Sequence, residues 1–300
     1  DAVALAVAGR PRKFTVSYMW IQACNMRCRF CYSTWNDSPC HGLPPQGLPP
    51  PDARRVVQLL AQSGVIDKIT FAGGEPFLRP DLADLLAFTK SLGLATCVVT
   101  NATRFRFRRD GRPDDNTRRV LDSVDQFALS IDSGSEATRL AMGRAVLGRK
   151  ALTNEHYCRV AQYVREHTGC SLKLNSVVTA QNCDEDMSAF VKALQPKRWK
   201  VFQVLPVEGQ NDAHFAELRI SAEQFAAFCE RHAALDPVRE TNHDMTSSYL
   251  LVDPWGRFFD NSKGAHTYSR SILEVGVHEA MAETTFDPGR YLDRGGEYAI

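Results

Sequence analysis

The sequence lacks three features, and each absence excludes a class of protein. It has almost no net charge, with 36 Lys and Arg residues against 35 Asp and Glu residues, so bulk charge predicts binding neither to nucleic acid nor to an acidic membrane. Its longest apolar runs, such as residues 94–100, are too short to cross a bilayer. The apolar start, residues 1–9, has no basic region, so we interpret it as a frayed or trimmed terminus rather than a secretion signal.

The cysteines do not follow the pattern of a disulfide-bonded protein. Their number, nine, is odd, and three of them lie within residues 24–31 while the others are scattered. Even numbers of regularly spaced cysteines are typical of small secreted proteins. We therefore expect a cytoplasmic protein in which the three clustered thiols have a chemical role.

Strand patterns and helix patterns alternate along most of the chain. Strands are predicted at 14–21, 67–74, 95–101, 126–132, 171–178 and 200–206, and helices at 51–64, 81–93, 117–123, 155–168, 184–194 and 221–234. About six strand–helix units predict parallel strands with right-handed crossovers, in an open sheet or in a full or partial barrel. We divide the chain into an N-terminal segment (1–13), a strand–helix domain (14–235) and a C-terminal extension (236–300). In the extension we predict a hairpin that turns at 254–256 and a helix over 271–283.

Polar residues gather where the predicted strands end or face inward. In parallel α/β folds the ligand lies at the carboxyl ends of the strands, so these positions are the first candidates for a site. They are Cys24–Cys31, Gly73–Pro76, Thr100, Asn101, Ser130, Asp132, Lys173, Asn175, Arg198, Lys200 and Gln203. Residues 198 and 200 share one face of a strand, and inward-facing cations need an anionic ligand to offset their burial. The alternative is that they pair with Glu208 or other nearby acids.

The spacing of the clustered cysteines, C-x₃-C-x₂-C in CNMRCRFC, indicates a metal site. A structural zinc site needs four protein ligands, and Cys40 or His41 could supply the fourth. A four-iron cluster can instead be held by three thiolates, if a non-protein ligand binds the fourth iron. Simple packing of the thiols in a core is a third alternative, which the flanking Arg27 and Arg29 disfavour.

Two motifs together resemble the radical S-adenosylmethionine (SAM) enzymes: CNMRCRFC after the first predicted strand and FAGGEPF after the second. Longer stretches, among them LKLNSVV, KVFQVLPVEGQN, SSYLLVD, SILEVGV and RGGEY, resemble the viperin family, an antiviral nucleotide-modifying branch of those enzymes. This likeness runs from about residue 14 to the end. It implies a partial (βα)₆ barrel with a C-terminal extension, and a 4Fe-4S cluster and SAM as cofactors.

The resemblance also implies an activity. A ribonucleoside triphosphate would be converted to its 3′-deoxy-3′,4′-didehydro analogue, a chain terminator for viral polymerases, after a 5′-deoxyadenosyl radical removes the 4′ hydrogen. The resemblance favours a pyrimidine nucleotide, CTP or UTP, and requires an external electron donor. We expect a monomer with no membrane segment in this chain. We expect no nucleic-acid partner either, because charge runs such as 104–112 are mostly solvated surface.

Individual residues acquire roles through the resemblance. Three irons would be bound by Cys24, Cys28 and Cys31. SAM would be bound by Gly73, Gly74, Glu75, Asn101, Ser130 and Arg144. At the Gly-Gly-Glu turn, paired glycines permit close backbone approach, and a carboxylate can pair with the amino group of SAM. The nucleotide would be bound by Lys173, Asn175, Arg198, Lys200 and Tyr249. Of these, Lys173 and Tyr249 are the catalytic candidates, with Tyr249 donating a hydrogen or a proton late in the reaction.

Several positions depart from the family pattern. Ala72 stands where the family has a serine that contacts phosphate, and Ser17 precedes Tyr18 where the family has asparagine. The proline-rich loop 38–51 is longer than expected, and we expect the family's C-terminal tail to be largely absent after Ile300. These departures bear on nucleotide choice more than on the type of reaction.

Two rival functions follow from the same residues. One is radical SAM chemistry on a peptide or a cofactor precursor, but those enzymes usually carry extra C-terminal cysteines, and beyond Cys183 this chain has only Cys229. The other is a zinc-stabilised binding protein that uses the set Cys24, Cys28, Cys31 and Cys40. Iron content after anaerobic reconstitution separates these readings.

Overall fold

The computed structural model of the protein describes residues 6–7, 10–11 and 13–297. Most of the predicted N-terminal segment, 1–13, and the end of the predicted extension, 298–300, therefore lie outside the described residues. Two short strands, β1 (Ala6–Val7) and β2 (Arg10–Pro11), pair antiparallel ahead of the main sheet.

Six parallel strands form the centre of the molecule and lie side by side in chain order. They are β3 (Phe14–Ile21), β4 (Ile66–Gly73), β5 (Ala95–Thr100), β6 (Gln126–Ser130), β7 (Ser171–Val178) and β8 (Arg198–Gln203). The helices between and after them are α1 (Pro50–Gln62), α2 (Leu82–Ser91), α3 (Asp115–Asp122), α4 (Glu136–Ala141), α5 (Asn154–His167), α6 (Ser188–Leu194), α7 (Asp212–Leu218) and α8 (Ala222–Arg231). All six strands therefore present their carboxyl ends at one edge.

The C-terminal residues extend this sheet at both of its sides. At one side β9 (Val238–Glu240) pairs parallel with β8; at the other, β10 (Leu250–Val252) pairs parallel with β3. β10 pairs antiparallel with β11 (Arg257–Asp260), and these two strands form the predicted hairpin around 254–256. The last strand, β12 (Thr267–Ser271), pairs antiparallel with β11. The short helices of this part are α9 (Asn242–Met245), α10 (Ile272–Val275), α11 (Val277–Ala282) and α12 (Pro288–Asp293).

The predicted fold class, a partial (βα)₆ barrel with a C-terminal extension, is confirmed. The ten-stranded sheet runs from β12 to β9, and these two strands do not pair with each other within the described ranges, so the barrel stays open. No helix of the described residues combines the length and the apolar character needed to cross a membrane.

Burial of one face of each helix holds the layers together. On α1 the residues Ala53, Val56, Val57 and Leu60 recur at helical spacing and are buried. Each fully buried Val or Leu contributes about 1.5–3 kcal/mol of transfer free energy. Aromatic side chains fill the space between helices and sheet, and Trp20 and Phe71 meet edge to face at 6.2 Å.

Two predicted helices differ from the observed ones for local reasons. The helix predicted at 184–194 begins only at Ser188, because the Asp186 carboxylate accepts the Ser188 backbone N–H at 2.8 Å and residues before it form turns. The helix predicted at 271–283 is divided into α10 and α11 at Gly276, whose φ of 82° interrupts the helical backbone.

Candidate active site

The three clustered cysteines lie on the loop that follows β3, at the carboxyl edge of the sheet. Cys24, Cys28 and Cys31 are all free thiols and are all partly buried. The Cys24 sulfur accepts the backbone N–H of Met26 at 3.4 Å. None of the three sulfur atoms forms a disulfide bond, so all three are available to bind a metal.

A second loop, after α4, fixes the shape of the cysteine loop. The backbone N–H groups of Arg27 and Arg29 donate to the carbonyls of Gly143 and Met142 at 3.2 and 3.0 Å. Gly143 has a φ of 74°, and a Cβ atom at this position would stand 2.0 Å from the Arg27 carbonyl oxygen. Only glycine therefore permits this close approach between the two loops.

We expect replacement of Gly143 by alanine to disturb the cysteine loop. The added methyl group meets backbone, which cannot move aside, so the free energy of unfolding should fall by at least about 2 kcal/mol. Gly148→Ala is the matched control, since Gly148 has a similar φ of 70° but its Cβ would meet only the Arg27 Cβ at 3.8 Å. Denaturant unfolding and iron content after reconstitution measure the effect. Equal losses in both variants would show that the close approach is unimportant.

The Gly-Gly turn after β4 packs against the start of the cysteine loop. A Cβ on Gly74 would stand 2.0 Å from the Ala23 carbonyl oxygen, and one on Gly73 would stand 2.3 Å from that of Ile21. The turn also donates two backbone hydrogen bonds to these carbonyls, from Gly74 at 2.7 Å and from Glu75 at 2.9 Å. Both glycines thus place the chain leading into Cys24, whatever ligand they also contact.

The Glu75 carboxylate is buried, and both of its oxygens accept hydrogen bonds from nearby residues. One oxygen accepts the Thr100 hydroxyl at 2.6 Å and the Phe77 backbone N–H at 3.2 Å. The other accepts the Asn101 backbone N–H at 2.8 Å. Burial raises the pKa of Glu75 above its ordinary value, against these hydrogen bonds. The side chain therefore joins the ends of β4 and β5.

Asn101 connects the end of β5 to the cysteine loop. Its amide nitrogen donates to the Asn25 side-chain oxygen at 3.1 Å and lies 3.9 Å from the Cys24 sulfur. The Asn101 oxygen accepts the Thr103 hydroxyl at 2.6 Å, and Thr103 in turn accepts from Asn25 at 2.8 Å. A hydrogen-bond donor next to a metal-binding sulfur is one of the means by which proteins tune a metal centre.

Arg144 lies beside the cysteines and is anchored by a buried carboxylate. Its Nε donates to Asp132 Oδ2 at 2.5 Å, and the other oxygen of Asp132 accepts the Val177 backbone N–H at 2.9 Å. Although burial alone would lower it, the Asp132 carboxylate raises the pKa of Arg144, so the guanidinium stays charged. Ser130, at the end of β6, is half-buried and lies in register with Asn175 of β7.

The donor set fits a cluster better than a single metal ion. Among the residues the structure describes, no group of three or more His, Cys, Asp or Glu side chains could hold one ion. A four-iron cluster makes a different demand, since each thiolate binds its own iron. Burial raises the pKa of Cys24 to about 11 and that of Cys28 to about 12, and the Arg144 guanidinium acts in the opposite direction. Iron binding would therefore displace protons from these thiols.

Cys40, the fourth ligand of the zinc alternative, lies in a different environment. It is buried in a second hydrophobic cluster with Trp35 and Phe259. Its sulfur accepts a hydrogen bond from Arg257 Nη2 at 3.2 Å. The charged groups that act on Cys40 are Asp37 and Arg257, whereas Cys24 and Cys28 are affected by Arg144. The structure therefore gives Cys40 no place among the three clustered thiols.

Four of the five predicted nucleotide-binding residues lie on two adjacent strands, and the fifth, Tyr249, directly precedes β10. Lys173 is in register with Arg198, and Asn175 is in register with Lys200, so the four side chains form two neighbouring pairs on β7 and β8. Lys173 and Lys200 are buried. The Asn175 side-chain oxygen is also buried and has no hydrogen-bond partner within the described residues. A buried polar atom in this position points to a ligand.

Two further residues, Glu240 and Arg294, adjoin these four side chains, and the sequence patterns indicated neither of them. Glu240 is fully buried at the end of β9 and pairs with Lys200; its second oxygen accepts the Tyr249 hydroxyl. Arg294 Nη1 lies 3.5 Å from Glu240, and its guanidinium carbon lies 3.6 Å from the Tyr249 ring centre. Lys200 Nζ donates to the Tyr249 hydroxyl at 3.1 Å.

The charges of this group are set by burial and by pairing. Burial alone would raise the pKa of Glu240, but Lys200 and Arg294 hold it below its ordinary value, so the carboxylate stays charged. Burial raises the pKa of Tyr249 well above its ordinary value, so the phenol stays protonated. One sequence signal was available: Arg294 opens the RGGEY stretch at the C-terminus.

The structure thus brings the predicted residues into two groups: one lies at the carboxyl edge of the sheet, and the other lies along β7 and β8, from Arg198 at the start of β8 to Lys200. The cysteine group contains the cysteine loop, the Gly-Gly turn, Asn101 and Arg144; the basic group contains the residues of β7–β9 with Tyr249. Tyr32, directly after Cys31, and Tyr249 both pack against the cluster that includes Met19. The register pair of Ser130 and Asn175 also joins the two groups.

Three curated proteins are similar to this chain over most of its length, and residues 18–194 match the radical SAM superfamily. An S-adenosylmethionine-dependent nucleotide dehydratase of Flammeovirga pacifica is 39% identical over 288 residues, covering 94% of this chain and 93% of that protein. The one of Danio rerio, named with the addition RSAD2, is 36% identical and covers 95% and 77%. That of Lacinutrix mariniflava is 39% identical over 94% of this chain, but the match spans only 57% of the length of the Lacinutrix protein.

Solved structures share the fold at low sequence identity. Streptococcus suis SuiB bound to precursor peptide SuiA has a TM-score of 0.62 and 14% identity, covering 95% of this chain and 67% of that one. Native anSMEcpe with bound AdoMet has a TM-score of 0.64 and 12% identity, covering 93% and 82%. At such identities the likeness establishes the architecture alone.

Proposed function

Because the chain belongs to the radical SAM superfamily and, within it, to the SAM-dependent nucleotide dehydratases, we propose that it dehydrates the ribose of a ribonucleoside triphosphate. The product is the 3′-deoxy-3′,4′-didehydro nucleotide, which terminates chains made by viral polymerases. The observation that carries the proposal is the basic group on β7 and β8, with the buried, unpartnered Asn175 oxygen beside it.

The cofactors of this superfamily are a 4Fe-4S cluster and SAM. Three thiols on one loop, without a fourth protein ligand, suit a cluster whose fourth iron binds SAM. When bound, the cluster and SAM supply a 5′-deoxyadenosyl radical, which takes a hydrogen atom from the substrate. Cys24, Cys28 and Cys31 hold the irons, and the Gly-Gly turn and Asn101 fix the loop that carries them.

The proposed reaction balances with two electrons and one proton. The ribose gives its 4′ hydrogen atom to the adenosyl carbon, and its 3′ hydroxyl leaves as water after taking up one proton. A second electron then completes the double bond between C3′ and C4′. SAM is consumed as methionine and 5′-deoxyadenosine, with one electron used for its cleavage, so both electrons come from an external donor.

The residues of the basic group bind the triphosphate and act on the leaving 3′ hydroxyl. Lys173, Arg198 and Lys200 lie close enough in the sheet to bind phosphate oxygens together, since charge-assisted contacts to phosphate are strong. Asn175 offers its free oxygen to the ribose or the base. Tyr249 remains protonated in its buried position, where its hydroxyl accepts from Lys200 and donates to Glu240. To supply the proton that water formation needs, this hydroxyl has to turn from Glu240 to the leaving group.

The second group positions SAM. Arg144 stays charged through Asp132 and can pair with the carboxylate of SAM, and Ser130 lies at the strand end beside it. The backbone of Gly73 and Gly74 can meet the amino group. The Glu75 carboxylate accepts from Thr100, Phe77 and Asn101, which places Asn101, and its remaining acceptor position can pair with the same amino group.

We further propose a pyrimidine triphosphate, CTP or UTP, as substrate, on the basis of the resemblance described above. Ala72 removes one hydroxyl from the phosphate site and packs in the same cluster as Tyr249. All nine cysteines are free, which suits a protein of the reducing cytosol. We propose that it acts there as a monomer.

The test is 5′-deoxyadenosine release by the reconstituted, dithionite-reduced enzyme with each of the four ribonucleoside triphosphates. We expect one pyrimidine triphosphate to accelerate release most and to yield a nucleotide lighter by one water. Lys173→Met should abolish the acceleration while leaving slow release without nucleotide unchanged. If none of the four accelerated release, the nucleotide assignment would be wrong and a peptide or cofactor precursor would be the next substrate to examine.

A further inference from the structure

A mainly basic surface covers the outside of the cysteine loop, and Glu217, which contacts Arg29, lies at its side. Two segments form it, residues 24–32 and 137–151, and neither contains Asp or Glu. Exposed cations lie on both: Arg27 and Arg29 on the first, Arg149 and Lys150 on the second. Because the whole chain is nearly neutral, this concentration of positive charge is local rather than a general property of the surface.

Exposed leucines lie within the same surface. Only three large hydrophobic side chains of the described residues are exposed, and two of them, Leu140 (44%) and Leu147 (61%), belong to residues 137–151. Leu147 also has a φ of 50°, a backbone conformation that bulky residues rarely adopt. A strained and exposed leucine costs stability without a packing gain in the isolated chain, which favours a role in contact with a partner.

The position of this surface relates it directly to the cluster ligands. The Leu147 backbone N–H donates to the Asn25 carbonyl at 2.8 Å, and a Cβ on Gly148 would lie 3.8 Å from the Arg27 Cβ. Arg27 and Arg29 flank Cys28 in the sequence. A partner seated on Leu147 would therefore stand directly outside the loop that holds the irons.

We propose that this surface, the Leu147 face (Arg27, Arg29, Leu140, Leu147, Arg149 and Lys150), docks a small acidic protein that carries one electron at a time. The proposal rests on the proposed function, because the balanced reaction needs two electrons from outside. Each docking event would reduce the cluster by one electron and oxidise the carrier by one, with no atom transferred. The basic rim would attract the acidic carrier, and the leucines would supply apolar contact at its centre.

The variants avoid the cluster ligands and the residues bonded to them. Arg27 donates to loop carbonyls and Arg29 contacts the exposed Glu217 at 3.3 Å, so neither is changed. Arg149→Glu/Lys150→Glu reverses two exposed charges. Leu147→Asn removes the apolar group and places there a residue that accepts positive φ more readily. Lys192→Glu/Lys197→Glu is the matched control, because these exposed lysines lie before β8, at the opposite edge of the sheet.

The probe is a flavodoxin, an acidic one-electron flavoprotein, with three readouts on the reconstituted enzyme. These are the affinity for oxidised flavodoxin, the rate at which reduced flavodoxin bleaches cluster absorbance, and 5′-deoxyadenosine release with dithionite. We expect the double reversal to lower affinity at least about tenfold at low salt, with a smaller difference at high salt. We expect Leu147→Asn to lower it about threefold or more. Release with dithionite should stay within about twofold of wild type, since a small reductant needs no docking surface.

Several results would overturn the proposal. They are unchanged flavodoxin affinity in both variants, an equal loss in the lysine control, or no binding of flavodoxin to the wild-type enzyme. Loss of the dithionite reaction would show that the face supports the cysteine loop instead. Binding of single-stranded RNA is measured on the same variants as a fourth readout, and its loss with flavodoxin affinity unchanged would assign the basic surface to nucleic acid. Failure of the proposed function itself looks different: nucleotides would not accelerate release with dithionite in any form of the enzyme.

Discussion

Replacement of any one of Cys24, Cys28 and Cys31 by alanine is expected to abolish cluster assembly and all 5′-deoxyadenosine release. Binding of three irons by three thiolates leaves one iron open for SAM, and this loop has no fourth cysteine that could replace a lost ligand. Replacement of Cys40 by alanine should leave iron content and release unchanged, because Cys40 lies in the separate cluster with Trp35.

Iron and sulfide per chain, and absorbance near 400 nm after anaerobic reconstitution, measure these outcomes. Cys40→Ala serves as the control for loss of a buried thiol; it also removes the Arg257 contact, so a small loss of thermal stability is expected. If Cys40→Ala lost its iron, or if wild type bound one zinc and stayed colourless, the assignment of three iron ligands would be wrong.

Glu240→Gln is expected to have the second largest effect, on both stability and turnover. The substitution keeps the shape of the side chain but leaves Lys200 and Arg294 buried without their carboxylate. The free energy of unfolding without nucleotide should fall by about 3 kcal/mol. Turnover should fall about tenfold or more, because the Tyr249 hydroxyl loses the acceptor that orients it.

The nucleotide distinguishes this role from simple structural support. A triphosphate supplies negative charge to the same cations, so it should raise the melting temperature of Glu240→Gln more than that of wild type. Glu208→Gln, an exposed acid next to β8, is the matched control and should change none of these values. Equal stabilisation of wild type and Glu240→Gln by nucleotide would contradict the idea that the Glu240 carboxylate and the phosphates share Lys200.

The strand–helix order could be predicted because it depends on local patterns. Apolar residues recur with one spacing in the six parallel strands and with another in the helices between them, so each element can be recognised from its own sequence. The strand β7, for example, spans the predicted residues 171–178. The ends of the helices were harder to predict than their order. The late start of α6 depends on how Asp186 bonds to Ser188, and the break after α10 depends on one glycine conformation.

The site divides in the same way. The cysteines and the Gly-Gly turn are contiguous motifs, so the sequence reveals them directly. The role of Glu240 could not be predicted from the sequence. Glu240 meets its partner Lys200 only because the chain passes through α7 and α8 and then returns as β9 beside β8. The hydrogen bond between Glu75 and Thr100 could not be predicted either, since it depends on the ends of β4 and β5 lying side by side.

The strands that flank the barrel on both sides come from one late part of the chain. β9 pairs with β8 and β10 pairs with β3, and the Tyr291 hydroxyl accepts the Thr15 backbone N–H at 3.1 Å. Contacts so distant in sequence slow folding. During synthesis the cysteines and the Gly-Gly turn leave the ribosome before the residues of β9 and β10 do. The six central strands are therefore made with both sides of their sheet unpaired, and the sheet reaches its full width only when the later part of the chain has been made.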